Sequence, residues 1–349
     1  MKTATKGKKW VDVYNALKQD VENGGYRRGD SFLTISEVSS RFKVSQITSR
    51  KALSALAQEN LIIQKPGLGS VIRSSEKIKV HFFIPEEENW DITTFRNIPV
   101  INFAILKGAL KQAEQERVEI EFINTKFLFR IAQSDPVLIM DGSTKFNLEG
   151  PEFGEKKYNL IILHSIKPYR TFHTVRHNLY RAVYYATRHL ISRGRRRIGF
   201  VTGPLSVDTF LQRYEGYFHA LKESGVPFDI KLIRETGGEN SQEDFIAVEE
   251  LLSLKEPPTA ICAGNDNRAL HILDYCHRQG IKVPEEMAIC GIDNIYETEV
   301  SRPPLTTVDT GWEEIGARAI RFILELMEKP EREIQDIVVE PKLIVRGST

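Results

Sequence analysis

The 349-residue chain lacks several things that would have fixed its class at once. It has only three cysteines, Cys262, Cys276 and Cys290, with no CxxC pair and no His or Cys at ligand spacing around them. A disulfide framework and a metal site are therefore not expected, and reduced, buried thiols in a cytoplasm fit better. No apolar run approaches the ~18 residues a membrane span needs. The start MKTATKGKKW is basic but has no apolar stretch behind it, so neither a secretory leader nor a membrane partner is expected. There is no GxxxxGK phosphate loop, no GxGxxG behind a strand and no Ser/His/Asp or Cys/His order. That leaves no residue to assign a catalytic role and no cofactor to expect. No repeat of about 20–50 residues and no low-complexity tract is present, which excludes solenoids and arrays.

Charge of one sign is also scarce overall, but not locally. Net charge is +1, yet residues 1–79 hold 15 Lys/Arg against 7 Asp/Glu, and the remainder holds 33 against 40. A basic head on a mildly acidic body points to a polyanion-binding module joined to a different one. The alternative is a solubilising tail, since Lys2, Lys6, Lys8 and Lys9 supply four of those charges. At ~100–200 residues per domain, the length calls for two or three domains.

The head reads as three helices and a hairpin. Trp10, Val13, Tyr14, Leu17 and Val21 make one apolar stripe over 10–21, stopped by Asn23-Gly24-Gly25. A second helix begins near Thr34–Ser36, with Ile35, Val38 and Phe42 facing inward. Ser45 caps a third, with Ala52, Leu53, Leu56 and Ala57 inside and Gln46, Thr48, Arg50 and Lys51 outside. Leu61–Lys65 and Ser70–Arg73 flank the turn Pro66-Gly67-Leu68-Gly69, as in a β-hairpin. The whole is a winged helix-turn-helix, for which duplex DNA is the expected partner. Candidate DNA contacts are Thr34, Ser36, Ser45, Gln46, Thr48, Arg50 and Lys51, with Lys65, Gly67 and Gly69 on the wing. Gln46 can pair with adenine and Arg50 with guanine or a phosphate, while the glycines allow close backbone approach. A polar helix face that is merely solvated is the competing reading.

Gly25-Tyr26, Gly29-Asp30-Ser31, the run Val44 to Leu53, Leu61-Ile62 and Gly67-Leu68-Gly69-Ser70-Val71 together resemble the GntR-type winged helix over about residues 8–73. Phe32-Leu33-Thr34 stands for its usual Leu-Pro-Ser, and Gln46 for a common Arg.

From Lys77 onward strands alternate with helices. Apolar runs at Ile78–Ile84, Val118–Ile123, Leu160–Leu163, Ile198–Val201, Ala260–Ala263 and Met287–Gly291 read as buried parallel strands. Helices fall at 103–117 and near 178–192, 211–224, 242–253, 266–279 and 311–328. Such alternation implies doubly wound parallel sheets with ligand sites at the strands' carboxyl ends. About 270 residues exceed one such core. The expected division is a DNA-binding domain over 1–76 and a bilobed α/β domain over 77–349. Its first lobe spans about 77–174 and 309–328, and its second about 175–308 and 329–349. Polar residues past the strands are the candidate site: Asp208, Thr209 and Arg213, then Asn265 and Asp266, then Asp293. An Arg, an Asn and an Asp converging on a cleft suit a polyol. Turn residues and helix caps are the alternative, and for Asp266 capping is the expected role.

Ala186–Ile191, Gly194–Phe200, Arg213–Tyr217, Pro258-Thr259-Ala260, Asn265-Asp266, Val283-Pro284-Glu285, Gly291–Asn294, Pro304–Val308 and Arg346–Thr349 resemble the LacI/GalR effector domain, which has the periplasmic sugar-binding fold. The resemblance implies effector contacts at Arg213, Asn265, Asp293 and Thr209, with Pro85 and Glu86 from the first strand exit. Asp208, Asn240 and His164 join the candidate set. His177 stands where the family usually has Asp. The run Arg193–Arg197 reads as a solvated turn.

Together these readings describe a bacterial, cytoplasmic transcriptional regulator, expected to be a repressor. As a homodimer it would grip a palindromic operator, under control of a monosaccharide or sugar derivative held between the lobes. A non-exported solute-binding sensor or a nucleoside-responsive regulator is the alternative, with an enzyme behind both.

Overall fold

The apolar stripe of the first helix dictates how the head folds. A computed structural model describes residues 9–23, 26, 29–59, 61–65, 69–72, 78–83, 100–123, 131, 135–140, 159–238, 240–328 and 333–349. In it α1 (Lys9–Asn23) buries Val13, Leu17 and Val21. These pack with Val38, Ala52, Leu53 and Leu56 from α2 (Ile35–Phe42) and α3 (Gln46–Gln58). Thr34 and Glu37 close a capping box on α2, and Lys43 ends it in the left-handed conformation (φ 50°). The strands β1 (Ser31–Phe32), β2 (Ile62–Lys65) and β3 (Gly69–Ile72) form an antiparallel sheet in the order β1-β3-β2. The sequence reading had the β2–β3 hairpin but not β1, whose two residues carry too little pattern to see. Ser31 pairs with Val71, and Phe32 enters the core.

The first lobe is a parallel sheet. It comprises β4 (Ile78–Phe83), β5 (Val118–Ile123), β6 (Val137–Met140), β7 (Leu160–Leu163) and β8 (His173–His177). One face carries Val80, Phe82, Leu138, Met140, Ile161, Leu163 and Val175, covered by α4 (Val100–Glu116) together with residues 312–328. Phe83, Val137, Ile139, Leu160 and Ile162 point the other way. Both faces are apolar, so these strands read as unbroken apolar runs.

The second lobe follows the same rule. α5 (Leu179–Ser192) and α6 (Asp208–Glu223) cover one face of its sheet, and α7 (Ser241–Leu252) and α8 (Asp266–Arg278) the other. The strands β9 (Ile198–Thr202), β10 (Ile233–Glu235), β11 (Ala260–Ala263) and β12 (Ala288–Cys290) are parallel, in the order β10-β9-β11-β12. Phe200, Cys262 and Cys290 face α5 and α6, while Val201, Ile261 and Ile289 face α7 and α8. All three cysteines are free and buried.

Past the short helix α9 (Glu297–Val300), β13 (Thr307–Asp309) leads the chain back into the first lobe as α10 (Trp312–Glu328). Then β14 (Asp336–Val339) pairs with β8, Thr174 opposite Asp336, and β15 (Lys342–Ile344) returns to pair antiparallel with β13. The first-lobe sheet therefore has the order β14-β8-β7-β6-β4-β5. Residues 175–177 and 336–339 belong to it, a correction to the expected lobe boundaries. The physical reason is packing: Val175 and Val339 both fill the first-lobe core. The chain thus crosses between lobes at 177–179, 309–312 and 339–342.

α4 and α10 cross with almost no gap. A Cβ on Gly108 would lie 1.8 Å from the Glu313 carbonyl oxygen, and one on Gly316 1.9 Å from that of Ile105.

Candidate functional site

The exit of β9 and the start of α6 bring Arg213 inward, where it is only 4% exposed. Its Nη1 donates to the Gly264 carbonyl, and its Nη2 lies 3.6 Å from Asp293 Oδ1. The Phe210 ring packs against the guanidinium at 5.8 Å. Arg213 Nε is buried with no hydrogen-bond partner among the described residues. A buried donor left open is uncommon and asks for an acceptor.

Asp293 follows β12 with φ +112°, a region that favours glycine. Its strain, worth about 1–3 kcal/mol, is held by neighbours. The Asp293 amide donates to the Val308 carbonyl at 2.8 Å. Asp266 clamps the same turn: its Oδ2 accepts from the Ile295 amide at 3.0 Å and its Oδ1 from the Thr307 hydroxyl at 2.6 Å. Burial first, then the Asp293 charge, pushes the Asp266 carboxyl well above its usual range. Gly291 has to be glycine here, since a Cβ would sit 2.1 Å from Asp266 Oδ1. The cap of α8 is Asn265, whose Oδ1 accepts from the Arg268 amide, so the capping expected of Asp266 belongs to its neighbour.

The first lobe answers with rings. His164 leaves β7 at φ +61°, His177 ends β8, and Trp312 opens α10. Ring centroids lie 4.8 Å apart for His164–His177, 4.8 Å for His164–Trp312 and 4.4 Å for His177–Trp312. The two Nδ1 atoms are 3.4 Å apart. Desolvation, helped by the Arg213 charge, holds His164 down at about 4. Desolvation also holds His177 well below 6.5, aided by His164 and Arg213. Both rings are therefore neutral at neutral pH. Trp312 Nε1 is a second buried donor without a partner among the described residues.

A cavity of about 710 Å³ lies between the lobes. Ile101, Ala104 and Trp312 line it from the first lobe, Asp293 and Ile295 from the second, and Asp309 and Gly311 from a crossover. Of the sequence-predicted effector residues, Asp293 lines this cavity, whereas Arg213 and His164 do not; Arg213 reaches it only through Asp293, 3.6 Å from its Nη2. Asn265 is buried as a cap, Thr209 is half-buried, and Asp208 is exposed at the start of α6. Asn240 is exposed and caps α7. Pro85 and Glu86 lie outside the described residues. Trp312 was missed, because at the head of an apolar helix it reads as core. His177 stood out in the sequence only as a departure.

In the head, α3 turns Gln46, Arg50 and Lys51 to solvent, and Lys51 reaches over the Trp10 ring at 5.1 Å. Ser45 caps α3 through the Thr48 amide, and Thr34 caps α2, so both hydroxyls are engaged. Ser36 is exposed. Gly69, at φ +82°, pairs with Lys65 at the hairpin. Gly67 lies outside the described residues. Ile47, missed by the sequence reading, is 81% exposed on the same helix. In the basic turn, Arg195 bonds the Pro284 carbonyl, Arg197 pairs with Asp229, and Arg193 reaches the Thr349 carbonyl, so these arginines hold structure.

The fold and site define a DNA-binding module joined to a hinged ligand-binding domain. Family models agree: "Bacterial regulatory proteins, gntR family" matches residues 10–72, and "Periplasmic binding protein-like domain" matches 187–349. The HTH-type transcriptional repressor CytR of Escherichia coli (strain K12) is 30% identical over 316 residues, covering 88% of this chain and 89% of that protein. PurR of Pasteurella multocida (strain Pm70), another HTH-type transcriptional repressor, is 32% identical over 165 residues, 47% of this chain and 49% of its own. A transcriptional regulator CelR–cellobiose complex superposes with a TM-score of 0.62 at 19% identity, covering 97% of this chain and 99% of that one. An Enterococcus faecium LacI family regulator with bound ribose gives 0.60 at 23% identity, covering 78% and 98%. The chain belongs to the LacI family of DNA-binding transcriptional repressors, with a GntR-type module at its head. No helix among the described residues is long and apolar enough to cross a membrane.

Proposed function

We propose that this repressor binds a small, neutral, hydroxyl-rich effector between its lobes and that binding changes its grip on operator DNA. The observation that carries the reading is the buried, open Arg213 Nε next to Asp293, the carboxylate that lines the interlobe cavity. A guanidinium and a carboxylate side by side grip adjacent hydroxyls, and neutral His164 and His177 add no charge opposite them. A monosaccharide or sugar derivative is the first reading, and the cellobiose and ribose in the two structural neighbours support it. Trp312, the member of the His164–His177–Trp312 ring cluster that lines the cavity, favours a second, a nucleoside, whose base would stack on it. Neither reading requires chemistry on the ligand, so the protein is a receptor and not an enzyme.

Gln46, Arg50 and Lys51 on α3, with the β2–β3 wing, read the operator. The protein works as a cytoplasmic homodimer on a palindromic site, each head taking one half. Closure around the ligand turns one lobe on the other through the three crossovers and moves the heads, so effector and operator affinities are reciprocally coupled.

The test is a thermal-shift screen of monosaccharides, sugar phosphates and nucleosides on wild type and Arg213→Gln. A true effector raises Tm with concentration, adding about 2.7 kcal/mol of stability at a hundred times Kd. It is recovered unchanged, and the variant loses the shift while keeping operator affinity without ligand. Equal ligand stabilisation of the variant removes Arg213 from the site, and conversion of the ligand shows an enzyme.

A further inference from the structure

Ile47 is the feature the reading so far leaves unused. It is the second residue of α3, one turn before Arg50 and Lys51, and is 81% exposed, more than any other large apolar side chain described. The buried stripe of α3 is Ser49, Ala52, Leu53 and Leu56. At 3.6 residues per turn, Ile47 lies roughly 170° around the helix from the middle of that stripe. It therefore contributes nothing to the core of the head. Its neighbours on the outward face are polar or charged: Gln46, Arg50 and Lys51 are all exposed. An isolated isoleucine at the entering end of a reading helix is a poor choice for solvent, where any polar residue would serve.

We infer that Ile47 is a specificity residue that packs on the C5-methyl group of a thymine in the operator's major groove. The thymine methyl is the apolar group that the groove floor presents, and an aliphatic side chain is its natural complement. The placement fits. Ser45 caps the helix, so the chain enters α3 at a fixed angle. Gln46 precedes Ile47 and suits adenine, so an adenine and a thymine close together in the half-site satisfy both. Burying about one methylene equivalent of apolar surface is worth roughly fourfold in affinity. The contact is uncharged and leaves salt dependence alone, unlike a phosphate contact by Lys51.

The inference rests on α3 being the reading helix, and the experiment separates the two claims. The full-length protein selects its preferred duplex from a random pool. Each thymine of the selected half-site is then replaced in turn by deoxyuridine, which deletes only the methyl group, and Kd is measured by fluorescence anisotropy at several salt concentrations. For wild type, one position per half-site weakens binding about three- to tenfold. In Ile47→Ala, which costs nothing in packing, that position becomes insensitive to within about twofold, other positions respond as before, and the salt slope is unchanged. Ile47→Val keeps part of the sensitivity. A half-site without an invariant thymine, a wild type indifferent to every deoxyuridine, or undiminished sensitivity in Ile47→Ala each overturns the role of Ile47 while leaving α3 as the reader. Failure of the wild type to select any sequence overturns both. An Ile47→Ala variant that weakens equally on selected and random duplex also refutes it, since a methyl contact acts at one base.

Discussion

Acidification is the perturbation that the site answers most directly. His164 is held at about 4 in the folded protein against 6.5 when free, and His177 is also held down. A group whose folded value is lowered binds its proton more readily in the unfolded chain. Its contribution is therefore intact above about pH 6.5 and is lost as pH falls toward the folded value. For His164 the gap of about 2.5 pH units caps the loss at roughly 3 kcal/mol. By about pH 5 some 2 kcal/mol of it has been lost, and His177 adds in the same direction. Asp266, pushed upward, works in the opposite direction and offsets part of this in the whole protein. The histidine share is isolated by comparing wild type with the double variant His164→Asn, His177→Asn. Urea unfolding at about pH 7 and about pH 5 gives four stabilities. The wild type should lose at least about 2 kcal/mol more than the double variant between the two pH values. Parallel losses would refute the idea that packing against Trp312 keeps these rings neutral.

Other perturbations test separate parts of the molecule. Arg50→Ala should cost about 1–3 kcal/mol in operator binding if Arg50 reads a base, with little loss on random duplex, and anisotropy titrations of both DNAs decide it. Gly316→Ala forces a methyl against the Ile105 carbonyl on the facing helix, which should cost about 1–3 kcal/mol or more and lower the effector domain's Tm in calorimetry. An unchanged Tm would mean that α4 and α10 can part without loss.

Some of this was visible in the chain before any coordinates. The stripe Val13, Leu17, Val21 and the inner set Ala52, Leu53, Leu56 fixed which faces of α1 and α3 meet, because helical spacing leaves no other arrangement for them. The unbroken apolar runs at 160–163, 198–201 and 260–263 named buried parallel strands, because both of their faces are covered. Arg213 and Asp293 were each legible as candidate ligand contacts, since they come after strands in a doubly wound sheet, but that they meet at 3.6 Å is seen only in the fold.

The tertiary structure alone decided the rest, and the reason is distance along the chain. That β14 joins β8 depends on packing across some 160 residues of sequence, which no local pattern records. Trp312 looks like any core residue of an amphipathic helix until folding sets its ring against His164 and His177, brought from two other strands. Asn265 and Asp266 are adjacent and similar, yet one caps a helix and the other clamps a turn, a division that only the positions of Ile295 and Thr307 settle. Local chemistry sets which residues can serve, while long-range packing sets which of them come together.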